Sequence, residues 1–209
     1  MKNKVCILTS VHPPFDVRIF HKEAKSLVKA GYDVTLIAQH DKEEIVDGVK
    51  IYDAGSKTGG RLSRMTKTVS KIHKKAKELD GDVYHFHDPE LIPVGLKLKK
   101  QGKKVIYDVH EDYGEDILNK EWLPKIIRNP VAKIFDRYEK KAAKAFDGIV
   151  TATPHIMTKF KPFNSNGKVC CDCLETICEE QKIIYCENCG QYYKSNEENK
   201  CFVCGEKTL

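Results

Sequence analysis

Two apolar segments close to the start, Val5-Cys-Ile-Leu8 and Asp33-Val-Thr-Leu-Ile-Ala38, decide the fold class of this 209-residue chain. A loop over residues 9–15 follows the first segment. From Asp16 onward, apolar residues recur at the three-to-four-residue spacing of a helix. Gly31 ends the helical pattern, at a position where a left-handed backbone favours glycine. Strand, helix and strand in this order predict a βαβ unit with two parallel strands.

The alternation of strands and helices continues along most of the chain. The strands are continuous apolar runs, which is typical of strands buried on both faces. We therefore predict an α/β domain with a Rossmann-like three-layer architecture and a parallel sheet. Further strands are predicted at residues 49–52, 83–86, 105–109 and 148–151, and helices at 61–79, 91–100, 131–146 with Pro130 at the helix start, and from Pro154 onward.

Composition and length limit the class of protein. The chain is 41% hydrophobic and 32% charged, which is an ordinary globular balance. It contains no apolar run near the ~20 residues that are needed to span a bilayer. The basic start is followed by a short apolar run at residues 5–8, whereas a secretory signal needs roughly 7–15 apolar residues. We therefore expect a cytoplasmic protein.

Cysteine content and charge both change near residue 165. Of the nine cysteines, Cys6 stands alone and the other eight lie between Cys170 and Cys204. The formal charge is +9 over residues 1–166 and −3 over residues 167–209. A polar, turn-like stretch at residues 164–167 separates the two compositions. We predict two domains, residues 1–164 and residues 165–209.

The second domain carries a zinc-ribbon pattern. Cys186-x2-Cys189-Gly and Cys201-x2-Cys204-Gly each present two thiolates on a tight turn, and four thiolates suit a tetrahedral zinc ion. We therefore predict one structural zinc at these four cysteines. Without an export signal, metal binding is favoured over disulfides. A second zinc, a cross-braced arrangement and free thiols are all open for the remaining four, Cys170, Cys171, Cys173 and Cys178.

Polar side chains gather where the predicted strands end. Ligands of open α/β sheets bind outside the carboxyl ends of the strands, so these side chains form a candidate crevice. Histidines at such an edge suit hydrogen bonding and proton transfer near neutral pH. His85 alternates with Phe86 inside its strand, so it could equally be a core histidine. The candidates are Ser10 and His12 after the first strand, His85, His87 and Asp88 around the end of the strand at 83–86, Asp108, His110, Glu111 and Asp112 around the end of the strand at 105–109, and Thr151 and Thr153 around the end of the last strand.

Missing patterns argue against several kinds of site. No G-x-G-x-x-G follows the first strand, which disfavours a nicotinamide or flavin dinucleotide site, and no phosphate-binding P-loop is present. His85-Phe-His87 has the form of a metal-ligand pair, but a barrel metallohydrolase needs about 200 residues or more. The first domain is shorter than that, and we therefore expect no catalytic metal.

Four blocks of the first domain resemble retaining family 4 glycosyltransferases. They are Phe15-Asp-Val-Arg-Ile-Phe-His-Lys-Glu-Ala-Lys-Ser-Leu27, Ala30-Gly-Tyr-Asp-Val-Thr-Leu-Ile37, Tyr84-His-Phe-His-Asp-Pro-Glu-Leu91 and Val105-Ile-Tyr-Asp-Val-His-Glu-Asp112. The resemblance covers residues 4 to about 160 and implies a GT-B architecture, in which two Rossmann-like domains face each other across a cleft. The N-terminal domain of such enzymes mainly holds the acceptor and the C-terminal domain holds the nucleotide-sugar. Transfer retains the anomeric configuration and needs no catalytic metal.

The resemblance also implies roles for single residues. His87 would face the acceptor and the reacting sugar as the catalytic residue, and His110 would line the same cleft. Arg18 would bind an anion, with pairing to Asp16 or Glu23 as the equal alternative. The implied substrate-binding set is Ser10, His12, Arg18, His85, Asp88, His110 and Glu111.

The leading hypothesis is a glycosyltransferase-related protein that carries the acceptor-side domain with a zinc ribbon attached. Nothing in residues 167–209 matches a donor domain. Sugar transfer to a glycan or lipid-linked acceptor would then depend on a partner donor domain, and we expect the isolated chain to be inactive. One alternative is a non-catalytic binding or scaffold protein that uses the ribbon for protein contacts, or that self-associates. A weaker alternative is a nucleic-acid-binding protein, which the acidic ribbon disfavours.

Two lysine-rich runs, residues 71–77 and 97–104, are the most basic parts of the chain. Solvated helix faces are the commoner explanation for such runs. The alternative is peripheral contact with anionic lipid at the inner face of a membrane, or with a polyanionic acceptor.

Overall fold

The computed structural model describes residues 3–55, 64–164, 168–171, 183–186 and 191–194. The chain forms two compact units, Met1–Val169 and Cys170–Leu209. The first unit is the predicted α/β domain. Its strands within residues 3–164 are β1 (Lys4–Leu8), β2 (Asp33–Ala38), β3 (Glu44–Val46), β4 (Val49–Asp53), β5 (Val83–Phe86), β6 (Lys104–Val109) and β7 (Gly148–Thr151).

Helices connect most of these strands. The first helix, α1, opens with a wide π-helical part and continues as a regular α-helix. The second helix, α2, is built in the same way, and a short 3-10 turn (Pro89–Leu91) leads into α3. The helices are α1 (Val17–Ala24 and Lys25–Lys29), α2 (Arg64–Thr68 and Val69–Leu79), α3 (Ile92–Lys100), α4 (Tyr113–Leu118), α5 (Lys125–Ala143) and α6 (Pro154–Phe160).

The strand order is β3-β4-β2-β1-β5-β6-β7. β1 lies in the middle and runs parallel to both β2 and β5. The pairs β2–β4, β5–β6 and β6–β7 are also parallel. The predicted Rossmann-like sheet is confirmed, and the carboxyl ends of β1, β5 and β6 lie side by side at one edge.

β3 is an antiparallel edge strand that the sequence pattern did not predict. It joins β4 through Asp47 and Gly48, whose φ angles are 51° and 80°. Two consecutive residues with positive φ form the tight hairpin turn that an Asp-Gly pair favours. Among β1 to β7, the sheet is therefore parallel except at this edge.

Side chains alternate across the sheet and fill two cores. Along β1, Val5 and Ile7 belong to the core on one face, and Cys6 and Leu8 belong to the core on the other. All four side chains are 4% exposed or less. Helices cover both faces, so the three layers predicted from the continuous apolar strands are present.

The prediction for the helix near Pro130 was wrong. α5 begins at Lys125, so Pro130 lies inside the helix rather than at its start. A proline at this place lacks the N–H that would reach the carbonyl of Ile126. Ile126 is 87% exposed, so water can hydrate this carbonyl and the helix continues through the proline.

The second unit contributes three described strands, β8 (Lys168–Cys171), β9 (Ile183–Cys186) and β10 (Gln191–Lys194), of which β8 begins before the division between the units. β9 and β10 form an antiparallel pair. Cys170, Cys171 and Cys186 lie in these strands, but their side chains are not described. The other predicted zinc ligands, Cys173, Cys178, Cys189, Cys201 and Cys204, lie outside the described residues, so both zinc sites stay predictions.

Among the described residues, no helix is long and apolar enough to cross a membrane.

Candidate functional site

Asp88 anchors the first loop at the carboxyl edge of the sheet. Its Oδ2 atom accepts hydrogen bonds from the Thr9 hydroxyl (2.8 Å), the Ser10 backbone N–H (2.6 Å) and the Ser10 hydroxyl (3.3 Å). Thr9, Ser10 and Asp88 are all buried. Burial raises the pKa of Asp88, and the hydrogen bonds from Ser10 and Thr9 partly oppose this effect. Ser10 and Asp88, both predicted to bind substrate, are thus joined to each other beneath the surface.

Gln39, at the end of β2, supports the same loop. Its Nε2 atom donates a 2.7 Å hydrogen bond to the Ser10 carbonyl. Its Oε1 atom is buried and has no hydrogen-bond partner. This side chain therefore fixes the carbonyl of the same residue whose N–H bonds to Asp88, and the sequence analysis did not single it out.

Three histidines form a row above this loop. His87 Nδ1 lies 3.1 Å from His110 Nε2, and the rings of His110 and His12 lie 5.0 Å apart. Exposure increases along the row, since the side chains of His87, His110 and His12 are 0%, 15% and 26% exposed. The structure brings together the histidines that the sequence placed at one edge. His12 and His110 are the members that reach the surface.

The predicted catalytic residue, His87, is the buried end of this row. Burial is the main reason that its pKa is well below the usual histidine value, and the neighbouring His85 adds to the effect. Burial also lowers the pKa of His110. Both rings are therefore neutral near pH 7. His87 has no exposed surface in this structure, so any contact with a sugar would pass through His110.

Two acidic side chains complete the interior of the site. The Oε2 atom of Glu23, on α1, lies 3.4 Å from His87 Nε2. The Oδ2 atom of Asp108, at the end of β6, lies 3.5 Å from His85 Nε2. Burial raises the pKa of Glu23 to about 8, an effect that His85 and Arg18 oppose. Burial also disfavours ionised Asp108, but its hydrogen bond with His85 and the Arg18 charge hold its pKa well below the usual value.

The π-helical part of α1 explains why Arg18 and Glu23 share a face. Residues five apart lie one above the other in a π-helix, whereas a regular α-helix would separate them around its axis. The His21 N–H reaches the Asp16 carbonyl at 3.3 Å, across five residues, as this winding requires. The Arg18 Nε atom accordingly lies 3.2 Å from Glu23 Oε1.

Arg18 is thus paired with Glu23, which was the predicted alternative to binding an anion. It is also paired with Asp108. Its Nη2 atom donates to both Asp108 oxygens, at 2.9 and 3.1 Å. Its backbone N–H donates to Asp16 Oδ1 at 2.9 Å. Glu111 also stands at this edge, where its side chain is exposed to solvent.

The sequence analysis missed Glu23 and Asp108 as members of one buried cluster. A signal for Glu23 was present, because it stands four positions after Ile19 and next to Ala24, both on the buried face of α1. A charged residue at such a position is unusual unless it is paired. Asp108 follows an apolar strand, so its place at the edge was visible but its burial was not.

A second concave region lies between α4, α5 and α6. It is an open groove of about 580 Å³ with a mixed acidic and basic lining. Lys159 lies at its base and contacts Asp112, Asp136 and Glu139 at 2.7, 3.1 and 3.2 Å. The lysine is therefore neutralised within the protein. Asp112 was among the sequence candidates, and the other three residues were not.

The fold and the family match of this chain together define its class, which is one Rossmann-like half of a GT-B glycosyltransferase. The model of Glycosyltransferase Family 4 matches residues 17–169, well over half of the chain. The chain belongs to that family. A comparison with curated proteins gave no significant match.

Solved structures show the same fold at low sequence identity. Sucrose-phosphate synthase from Thermosynechococcus elongatus is 14% identical with a TM-score of 0.58, over 80% of this chain and 47% of that one. Phytolacca americana UGT2, complexed with UDP-2fluoro-glucose and pterostilbene, is 10% identical with a TM-score of 0.55, over 87% of this chain and 57% of that one. The chain spans about half the length of these two structures.

Proposed function

We propose that the first unit holds the acceptor of a sugar-transfer reaction at the carboxyl edge of its sheet. One observation carries the proposal: two partly exposed histidines, His12 and His110, converge above a buried polar network at the edge where α/β sheets bind ligands. Family membership supplies the reaction class. A neutral imidazole can hydrogen-bond a sugar hydroxyl, as a donor through its N–H or as an acceptor through its bare nitrogen.

The buried residues of the site then act as positioning residues. His87 fixes the His110 ring through the 3.1 Å contact between their nitrogens. Asp88 fixes the loop that carries His12, because it accepts three hydrogen bonds from Thr9 and Ser10. In this proposal the role predicted for His87 is indirect, and His110 is the residue that meets the acceptor.

The proposed donor is a nucleotide-sugar that a second Rossmann-like domain holds on another polypeptide. The UGT2 structure supports a nucleotide-sugar as the donor class, because it holds UDP-2fluoro-glucose together with a second molecule, pterostilbene. Holding two reactants in near-attack geometry lowers the reaction barrier by about 7–11 kcal/mol. Such positioning requires a surface on each side of the cleft. The described edge supplies one side, and residues 165–209 have the composition of a metal-binding module.

The test is a transfer assay with the full 209-residue chain, nucleotide-sugars and glycan or lipid-linked acceptors, read as released nucleotide. We expect background release from the chain alone, and release once a GT-B donor domain is added in trans. The His110→Ala variant should then lose most of this release, whereas the exposed-residue control His21→Ala should keep it. Turnover by the chain alone, equal in wild type and His110→Ala, would overturn the proposal.

A further inference from the structure

Four side chains at the buried end of the histidine row, His87 among them, form a compact set of metal-ligand types. Glu23, His85, His87 and Asp108 each offer one nitrogen or oxygen atom, and these atoms all lie within 4.8 Å of one another. The residues come from three elements, α1, the end of β5 and the end of β6. We propose that this set binds one divalent transition-metal ion of the zinc type. The proposal is independent of the proposed function and of the cysteine-rich segment.

The spacing of the atoms fits tetrahedral coordination. Metal–ligand distances of 2.0–2.1 Å place neighbouring ligand atoms of a tetrahedron about 3.3 Å apart. His87 Nε2 lies 3.4 Å from Glu23 Oε2, and His85 Nε2 lies 3.5 Å from Asp108 Oδ2. Two of the six ligand pairs therefore already have the tetrahedral spacing, and the remaining pairs, all within 4.8 Å, must close by up to about 1.5 Å when an ion binds.

The strand geometry places the two imidazoles on the same face of the sheet. Side chains at positions i and i+2 of a strand point to the same face, and His85 and His87 have this relation at the end of β5. Their ring centroids are 4.6 Å apart, with 36° between the ring planes. Two imidazoles and two carboxylates are a donor set that suits zinc and its neighbours in the first transition row.

A second observation is a facing pair of unpartnered ligand atoms. His87 Nε2 is fully buried and has no hydrogen-bond partner, and the same is true of the facing Glu23 Oε2 atom. When His87 Nδ1 donates to His110 Nε2, the Nε2 atom presents a bare lone pair to the glutamate oxygen. A metal-ligating histidine characteristically donates its other ring N–H to an acceptor, as His87 does in this arrangement.

Arg18 does not prevent metal binding. It donates to both oxygens of Asp108, but each carboxylate oxygen has two lone pairs and can keep one for a metal. An arginine in this place orients the ligating carboxylate from outside the coordination sphere. The ion can enter past Glu23, whose side chain is 20% exposed.

The test must separate this site from the cysteines of the second unit. We would strip the full chain with EDTA, block its accessible thiols with iodoacetamide, and load it with Co²⁺. We expect one Co²⁺ per chain, visible ligand-field absorption and no thiolate-to-cobalt charge-transfer band. We also expect Zn²⁺ to raise the unfolding midpoint of this preparation by about 5 °C.

His87→Asn is the variant that tests the ligand set, and His21→Asn on the exposed side of α1 is the matched control. We expect at least a tenfold weaker Co²⁺ affinity in His87→Asn and an unchanged affinity in His21→Asn. Glu23→Gln keeps the shape of the site and serves if His87→Asn does not fold. Absence of bound Co²⁺ from the thiol-blocked wild type overturns the proposal, since the cluster then holds only protons. Equal affinity in wild type and the folded variants overturns it as well.

Discussion

Arg18 and Asp108, 90 positions apart in the sequence, are joined by two hydrogen bonds from one guanidinium nitrogen. The Asp108 side chain is fully buried and the Arg18 side chain is 21% exposed. The pair connects the π-helical part of α1 to the end of β6. It therefore holds Glu23 over the histidines and closes the interior side of the candidate site.

Removing Arg18 should destabilise the fold more than a surface substitution does. Arg18→Ala leaves the buried Asp108 carboxylate without its partner, and breaking a buried pair in this way costs about 3 kcal/mol. Urea unfolding of Arg18→Ala and of the exposed-residue control Arg137→Ala measures the difference. Losses of equal size in the two variants would contradict this account of the pair.

Asp88 should matter through the loop it anchors. Asp88→Ala leaves the Thr9 hydroxyl and the Ser10 N–H buried without an acceptor, which costs about 2–3 kcal/mol. Asp82 is the matched control, because it accepts one exposed hydrogen bond from the Lys4 backbone N–H at 2.8 Å. We expect Asp82→Ala to lose less than about 1 kcal/mol in the same urea titration. A smaller loss for Asp88→Ala than for Asp82→Ala would show that the loop is held in another way.

Cys6 should resist alkylation in the native protein. Burial, followed by the nearby Asp33 carboxylate, raises the pKa of its thiol to about 11. We expect peptide mapping after iodoacetamide treatment at pH 9 to find Cys6 unmodified in the folded chain and modified in urea. Fast modification of the folded protein would contradict the burial of this thiol.

The raised pKa of Cys6 also determines how the stability of the fold changes with pH. The thiol pKa is 9.0 in the unfolded chain and about 11 in the folded one, so the folded protein holds the proton to higher pH. The contribution is constant below pH 9, and stability falls as pH rises from 9 to 11, by about 1–3 kcal/mol. Cys6→Ala should lack this component. The difference between the two unfolding curves across that range isolates it from the titration of lysines.

The paired cysteine motifs predict bound zinc in the second unit. Protein prepared without chelators should hold zinc at Cys186, Cys189, Cys201 and Cys204, and Cys186→Ser should lose one zinc per chain in elemental analysis. Thiolate ligation couples metal binding to folding, so EDTA should also unfold this segment. His87→Asn is the control, since it should keep the cysteine-bound zinc. Disulfides among the four cysteines in protein prepared under reducing conditions would contradict the prediction.

Much of the fold was readable because periodicity and burial agree along most elements. The strand at residues 148–151 and the αL position of Gly31, whose φ is 93°, were both predicted correctly. β3 was missed because three residues show no clear alternation, although Asp47-Gly48 is a hairpin signal. The start of the helix near Pro130 was misplaced. Proline favours the first position of a helix, but this helix contains its proline in the second turn.

The candidate site was readable only in part. Parallel topology alone placed His87 and His110 at one edge, and their 3.1 Å contact follows from that placement. Topology could not show which histidine is buried, because exposure depends on how α1 covers the edge. The inward direction of Glu23 depends on the wide turns of α1, and single-sequence patterns do not predict such turns.

The most direct test of the central claim is a titration of the full chain, ¹⁵N-labelled at histidine, with acceptor-type glycosides and with nucleotide-sugars. Imidazole resonances assigned through His12→Ala, His110→Ala and His21→Ala would report which ring meets the ligand. We predict that an acceptor-type sugar shifts the His12 and His110 signals and leaves His21 unchanged, and that nucleotide-sugars alone shift neither. A nucleotide-sugar that moves the His12 and His110 signals at lower concentration than any acceptor would contradict the assignment of this edge to the acceptor.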